Sequence, residues 1–289
     1  MTTKVAIVGS TGKMGSLFTR LIGEWPEFEL VASLDSTTPL EEMLDADLVV
    51  DVTVPGVSQK VVDFAVANGK NVLVGTSGWS ADRATALRRT LGDTPKTGVV
   101  IIPNFSLGSV LATSFATMAA RFYDSIEIVE AHSAGKVDSP SGTAVRTAEL
   151  MGAARAGIGP VSAPHTDQRA RGQQVASIPI HSLRLGGVVA RQDVVFGGTG
   201  EVLTLTHETI SPSAYETGIA VALRAAVTAR GVIVGLDRLI DLGTGSTDAA
   251  SRRSAAEPAD AAAADAAADG AAVPENVSGQ AATATSVTP

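Results

Sequence analysis

Residues 5–15 read VAIVGSTGKMG, a short apolar run that ends on Gly9, Gly12 and Gly15 and continues into Met14, Leu17, Phe18, Leu21 and Ile22 at helical spacing. A strand that turns on glycines straight into an amphipathic helix opens a βαβ unit. The three glycines have separate tasks: Gly9 permits the tight turn, Gly12 lets backbone approach a pyrophosphate, and Gly15 allows close packing of helix on strand. The phosphates would rest on the free N–H groups and positive dipole end of that helix. Asp35 stands at the end of the next strand-like run, where a carboxylate accepts hydrogen bonds from ribose hydroxyls and repels a 2′-phosphate. Ser36 follows it in place of a phosphate-binding arginine, so NADH is expected to serve at least as well as NADPH. Lys13, inside the turn, keeps NADPH open by offering a compensating charge. The spacing and terminal Lys-Ser/Thr of a nucleotide triphosphate loop are absent.

The rest of the first hundred residues repeats the alternation. Strand-like segments at 4–8, 30–34, 48–52, 71–74 and 99–102 are short, rich in Val and Ile and bounded by turn residues, with helical patterns between them. This predicts a Rossmann-type α/β fold, a doubly wound parallel sheet covered on both faces. After Asn104 the pattern changes to a helix over 107–122, a strand over 126–131 and a helix opening near Ser141. Three longer strand candidates follow at 176–185, 188–196 and 201–210, joined by Gly186-Gly187 and the glycine-rich run 197–200. Such short joints predict antiparallel pairing of consecutive strands. A helical segment at 215–229 is expected to return the chain to the first sheet. The expected organisation is a dinucleotide-binding domain of 1–104 and 215–242, with an inserted α+β substrate-binding and oligomerisation domain of 105–214 containing a mixed or antiparallel sheet.

Beyond Gly243 the sequence is nearly all Ala, Asp, Ser, Thr and Pro; its acids and two arginines carry −4 of the net −8. With no large apolar residue at core spacing it cannot offset its ordering entropy, so 243–289 is expected to be a disordered tail. The acidic balance disfavours nucleic acid as a partner. No apolar run approaches the length of a bilayer span, so no membrane is expected. The opening residues lack the organisation of a secretory leader, and the chain has no cysteine; the expected location is cytoplasmic. His165, His181 and His207 are scattered without metal-ligand spacing, and no metal is expected.

Residues 130–144, EAHSAGKVDSPSGTA, concentrate chemistry. His132 closes a strand, Lys136 sits in the following loop, and Pro-Ser-Gly-Thr opens a helix whose free N–H groups suit a carboxylate. A proton donor active near neutral pH, a fixed cation and an anion-binding helix end form a site for reducing an acidic C=N or conjugated substrate. Each residue also has a plainer reading: Ser141 as an N-cap, His132 as a strand histidine with its bonds satisfied, Lys136 as a solvated charge. Arg184, on a later strand, is a candidate for bidentate contact with a substrate carboxylate or for a surface ion pair.

With VAIVGSTGKMG, DVTVP at 51–55, VGTSGW at 74–79, IPNFSLG at 102–108, EAHSAGKVDSPSGTA, HSLRLGG at 181–187 and GLDRLIDL in order, the chain resembles the dihydrodipicolinate reductases, also called 4-hydroxy-tetrahydrodipicolinate reductases, of bacterial lysine and diaminopimelate synthesis. The resemblance implies hydride transfer from NADH or NADPH to a cyclic unsaturated dicarboxylate in a cytoplasmic homotetramer. It implies His132 as proton donor and acceptor, Lys136 as second proton donor, and Gly142 with Thr143 as the substrate-carboxylate cradle. It implies cofactor contacts at Gly9, Ser10, Thr11, Gly12, Lys13, Met14, Asp35, Gly75, Thr76, Ser77, Ile102, Pro103, Asn104 and Phe105. Two positions depart: Ser133 stands where the family carries a second histidine, which weakens an expected substrate contact, and Gly135 replaces what is commonly a larger polar residue. A related imine or amino-acid dehydrogenase, or a non-catalytic dinucleotide-binding sensor, are the alternative readings of the same scaffold.

Overall fold

The computed structural model describes residues 2–240; the tail expected over 243–289 lies outside the described residues. The chain begins with β1 (Thr3–Val8), α1 (Lys13–Glu24), β2 (Phe28–Leu34), β3 (Leu48–Asp51), α2 (Pro55–Ala67), β4 (Asn71–Val74), α3 (Ala81–Leu91) and β5 (Gly98–Ile101). It crosses into α4 (Leu107–Ala119), β6 (Ser125–Ser133), α5 (Gly142–Ala154), β7 (Gln173–Val175), β8 (Ile178–Leu185), β9 (Ala190–Gly198) and β10 (Glu201–Thr209), then returns through α6 (Glu216–Thr228) and β11 (Gly231–Val234). Both sheets belong to one compact unit.

The first sheet runs β11-β5-β4-β3-β1-β2 with every pair parallel. Side chains alternate across it: Val5 and Ile7 join Phe18, Leu21 and Ile22 of α1 and Ile219, Leu223 and Ala226 of α6. On the other face Ala6 and Val8 meet Val61, Val62 and Ala65 of α2 and Ala84 and Leu87 of α3. A sheet buried on both faces needs continuous apolar strands, as all four residues of β4 and of β5 show by being buried. The strand order reverses at β1, which pairs with β2 on one side and β3 on the other. That switch point opens the crevice outside the carboxyl ends of the strands where such sheets bind ligands.

The second sheet runs β10-β9-β6-β8-β7. Here one expectation is corrected. β9 and β10 form the expected antiparallel hairpin, but β8 and β9, joined through Gly186 and Gly187, do not pair. β6 lies between them, parallel to β8 and antiparallel to β9. The connection from β6 through α5 to β8 is a crossover, which places β8 beside β6 in the same direction; β9 then takes the free edge opposite. Short strands β7 and β11 were not anticipated from sequence. Ala116 and Ala120 of the α4 segment and Ala144, Ala148 and Met151 of α5 pack on Ile126, Ile128, Ile180, Val194 and Phe196, covering one face.

The return of α6 to the first sheet is pinned by Asn71. Its buried side-chain amide donates to the carbonyls of Ala226 (2.9 Å) and Val227 (2.8 Å) at the end of α6, and its oxygen accepts from Gly98 N (2.9 Å) in β5. Asn71→Ala would orphan those buried groups, and we expect a loss of about 2–3 kcal/mol. Calorimetry should show Tm lower by about 5–10 °C; an unchanged Tm would contradict this role.

Candidate functional site

The turn after β1 has the geometry its glycines suggest. Gly9 adopts φ +90°, and a Cβ on Gly15 would lie 2.2 Å from the Gly9 carbonyl oxygen, so α1 packs against the turn at a distance only glycine allows. Gly12 caps α1 without any side-chain hydrogen bond, and the first turn carries no acid. Its N–H groups are therefore uncommitted to side chains, which fits a bound pyrophosphate.

Asp35 follows β2 directly. Its Oδ1 accepts from Thr37 N (2.8 Å), Thr37 Oγ1 (2.8 Å), Thr38 Oγ1 (3.0 Å) and Thr38 N (3.2 Å). The Thr37 hydroxyl and amide, then Thr38, hold the carboxyl down at about 2. Those bonds all converge on Oδ1. Around β3, the buried Asp51 accepts from the Thr53 hydroxyl at 2.6 Å and from Ser58, which itself accepts from Trp79 Nε1 at 2.8 Å. This chain of bonds fastens the loop after β3 to the loop after β4, which carries Gly75, Thr76 and Ser77. Thr76 and Ile102 are buried, and the Thr76 hydroxyl donates to the Asp51 carbonyl at 3.3 Å. The dinucleotide crevice thus has what the group requires: uncapped helix N–H groups, an ionised acid beyond β2 and glycine where Gly75 meets Phe105 and Val52 closely.

His132 stands on the central strand of the second sheet, in register with Arg184 on β8 and Ala190 on β9. Its Nδ1 lies 2.6 Å from Oε2 of Glu130, which is fully buried. Glu130 also receives a two-pronged bond from Arg184, at 3.0 and 2.9 Å, and the Ser141 amide at 3.3 Å. Burial pushes the Glu130 carboxyl up, but Arg184 foremost, then Ser182 and His132, hold it below the ordinary carboxylate range. Arg184 is therefore spent inside the protein, in an ion pair with a buried acid and not the surface pair expected as the alternative to a substrate contact. It also donates to the Asp138 carbonyl at 2.5 Å, while the Asp138 carboxylate pairs with Lys136 Nζ at 2.7 Å.

Ser141 caps α5 by accepting from Ala144 N at 3.2 Å, as the plainer reading of that residue has it. Gly142 leaves the first turn open, with nothing near where a side chain would project. Asn104 bonds Ser109 Oγ at 3.0 Å and stands 3.5 Å from Thr143 Oγ1, linking the end of β5 to α5.

These pieces meet in one cavity of about 340 Å³, whose walls include Met14, Gly75, Pro103, Asn104 and Phe105 from the dinucleotide side and His132, Lys136, Ser141 and Thr143 from the second sheet. Ser133 is not among its lining residues; it is exposed at the end of β6. Sequence reasoning missed Ser109, Gln192, Thr209 and Tyr215 in the lining, because nothing local marks residues that α4, β9, β10 and the turn before α6 bring to one place. His207, read from sequence as structural, bonds the α4 cap Ser106 at 3.1 Å and also lines the cavity; burial lowers its pKa and favours the neutral ring. His181 is structural as expected, paired with Glu127 at 2.7 Å. Among the described residues no group of His, Cys, Asp and Glu could hold a metal, and no helix is long and apolar enough to cross a membrane.

The depressed Asp35 carboxyl yields a prediction. Its ionised form is favoured in the folded state, so any stabilisation it provides is present above the ordinary carboxylate pKa of about 4 and is lost as pH falls toward about 2. Carboxyl ¹³C NMR should find Asp35 ionised down to about pH 3.5, and Thr37→Val with Thr38→Val should raise its midpoint. An ordinary midpoint in the unmodified chain would contradict the bonding described.

The chain matches the sequence profile of dihydrodipicolinate reductase, N-terminus, over residues 3–105 and that of dihydrodipicolinate reductase, C-terminus, over 108–240. It is 66% identical over 286 residues, 99% of this chain and 100% of the relative, to the 4-hydroxy-tetrahydrodipicolinate reductase of Clavibacter michiganensis subsp. michiganensis. The Streptomyces griseus subsp. griseus enzyme of that name is 42% identical, covering 83% of this chain and 98% of its own. Among solved structures, a dipicolinate-bound dihydrodipicolinate reductase from Paenisporosarcina sp. TG-14 superposes with a TM-score of 0.70 at 27% identity, covering 83% of this chain and 100% of that one. A glycine turn with the right close approach, a cavity joining it to His132 and Lys136, and profiles that together span nearly all described residues lead to one assignment: the chain belongs to the dihydrodipicolinate reductase family.

Proposed function

We propose that this chain is an NAD(P)H-dependent oxidoreductase that reduces 4-hydroxy-tetrahydrodipicolinate to tetrahydrodipicolinate in diaminopimelate and lysine biosynthesis. The observation that carries the reading is the single cavity that Met14 and Gly75 share with His132 and Lys136. The reaction takes up one hydride and one proton and releases the 4-hydroxyl as water, so it needs a hydride source, a positioned proton donor and anchors for two carboxylates. NADH or NADPH supplies the hydride, held by Gly9 to Met14 at the start of α1, by Asp35, and by the loops at 75–77 and 102–105.

His132 donates and accepts a proton at the reacting ring, and Lys136 serves as the second donor. The open first turn of α5, with Gly142 and Thr143, holds a substrate carboxylate on N–H groups and the positive helix end. Lys136 keeps its ammonium at the cavity through Asp138, so the charge also favours an anionic substrate. The dipicolinate named for the Paenisporosarcina structure is a planar dicarboxylate of the same kind. Ser133, exposed beyond the strand end, contributes at most a hydroxyl where the family block carries imidazole.

The working form is a homotetramer in the cytoplasm. The face of the second sheet opposite α4 and α5 leaves Leu183, Leu185 and Val202 exposed, an apolar surface suited to pairing with another copy.

Purified chain mixed with freshly generated product of dihydrodipicolinate synthase should oxidise both NADH and NADPH, with NADH at least comparable. His132→Gln and Lys136→Ala should each lower kcat by about 100-fold or more while leaving dinucleotide affinity intact. Absence of turnover with either nucleotide would return the reading to an imine reductase of other specificity, and a strong preference for NADPH would assign the 2′-phosphate to Lys13.

A further inference from the structure

Glu130 is neither exposed nor part of the cavity lining, yet every group proposed to move a proton is tied to it. It precedes His132 by two residues on β6, so both side chains project from the same face of the sheet. The Nδ1 contact of 2.6 Å is the closest of its bonds. A neutral imidazole carries one N–H, and the contact alone leaves open which nitrogen bears it. The surroundings decide. Arg184 donates two N–H groups to Glu130 and the Ser141 amide donates a third, so the carboxylate stays ionised and can only accept.

We infer that Glu130 is a positioning residue that holds His132 in its Nδ1–H tautomer, leaving Nε2 as the nitrogen that gives and takes the proton in the cavity. The inference deepens the reductase reading and rests on it for its catalytic consequence. The tautomer itself follows from β6, β8 and α5 alone. The other charged groups around His132 are Arg184 from β8, Arg191 from β9, and Lys136 with Asp138 from the loop after β6. Arg191 is spoken for by Asp193 at 3.0 Å and Glu208 at 3.6 Å, and Lys136 by Asp138. Glu130 is the one carboxylate in this set bonded to the imidazole.

The same carboxylate reaches the second proton donor in three steps. Arg184, seated on Glu130, also donates to the Asp138 carbonyl, and the Asp138 side chain holds Lys136. Replacing Glu130 by an amide leaves a single acceptor oxygen, for which the Arg184 fork and Nδ1–H then compete, and loosens the loop that carries Lys136. Neither change touches Gly9 to Met14 or Asp35.

The test combines a spectroscopic readout with kinetics. In ¹⁵N-histidine-labelled full-length protein without ligands, His132 should show a protonated Nδ1 and an unprotonated Nε2 at pH values where the ring is neutral. Glu130→Gln should shift the population toward Nε2–H, lower kcat by about 10-fold to 100-fold and leave KM for NADH within about 3-fold. A wild-type His132 that is mainly Nε2–H overturns the inference, and that spectrum needs neither a folded variant nor turnover. A Glu130→Gln protein that folds and keeps both the wild-type tautomer and kcat overturns it as well. Failure of the wild type to oxidise either nucleotide would instead count against the reductase reading, with the tautomer result standing separately.

Discussion

A carboxylate with no exposure to water persists only where ionic and hydrogen-bonding partners surround it, because its desolvation costs several kcal/mol. Glu130 meets that condition by drawing on three elements: His132 from its own strand, Arg184 from β8 and the Ser141 amide that opens α5. Satisfying one buried charge therefore fixes the order of strands around β6, the depth of the α5 terminus and the path of the loop bearing Lys136. The chemistry of the site follows from that arrangement. Had β8 and β9 paired directly, Arg184 would have lost its place beside β6, and His132 would have stood on an edge strand.

The first sheet imposes a different constraint. Its strands are buried on both faces, so polar groups can meet a ligand only beyond their carboxyl ends, where the chain turns. Gly9, Gly75 and Asn104 follow β1, β4 and β5 at that rim, and Asn104 reaches across to Thr143. The two sheets thus contribute to a single cavity. The family profiles cover residues 3–105 and 108–240, the two parts that build its walls.

Much of this was legible in the sequence where the signal is local. The glycine turn, the five early strands, the N-cap Ser141 and the pairing of His132 with Lys136 are each written within a dozen residues. What escaped was non-local. The hairpin expected from Gly186-Gly187 failed because turn residues report that a chain reverses but not what lies between its arms. β7 and β11 are too short for period-two alternation to register. Gln192, Thr209 and Tyr215 gave no sign, since their presence in the cavity depends on the register of β9 and β10 and on the start of α6. Glu130 was readable in principle: an acid two residues before a histidine on a strand shares its face. Arg184 drew notice for its charge, and only its buried partner decides what that charge is for.

In the proposed function one cavity brings the dinucleotide crevice and the His132–Lys136 pair onto the same ligand. A crystal structure of the ternary complex with NADH and pyridine-2,6-dicarboxylate tests it most directly. We expect the nicotinamide ring between Met14 and Gly75, and the dicarboxylate against the start of α5 within hydrogen-bonding reach of His132 Nε2 or Lys136 Nζ. A dicarboxylate bound elsewhere, or a nicotinamide directed away from His132, would contradict it.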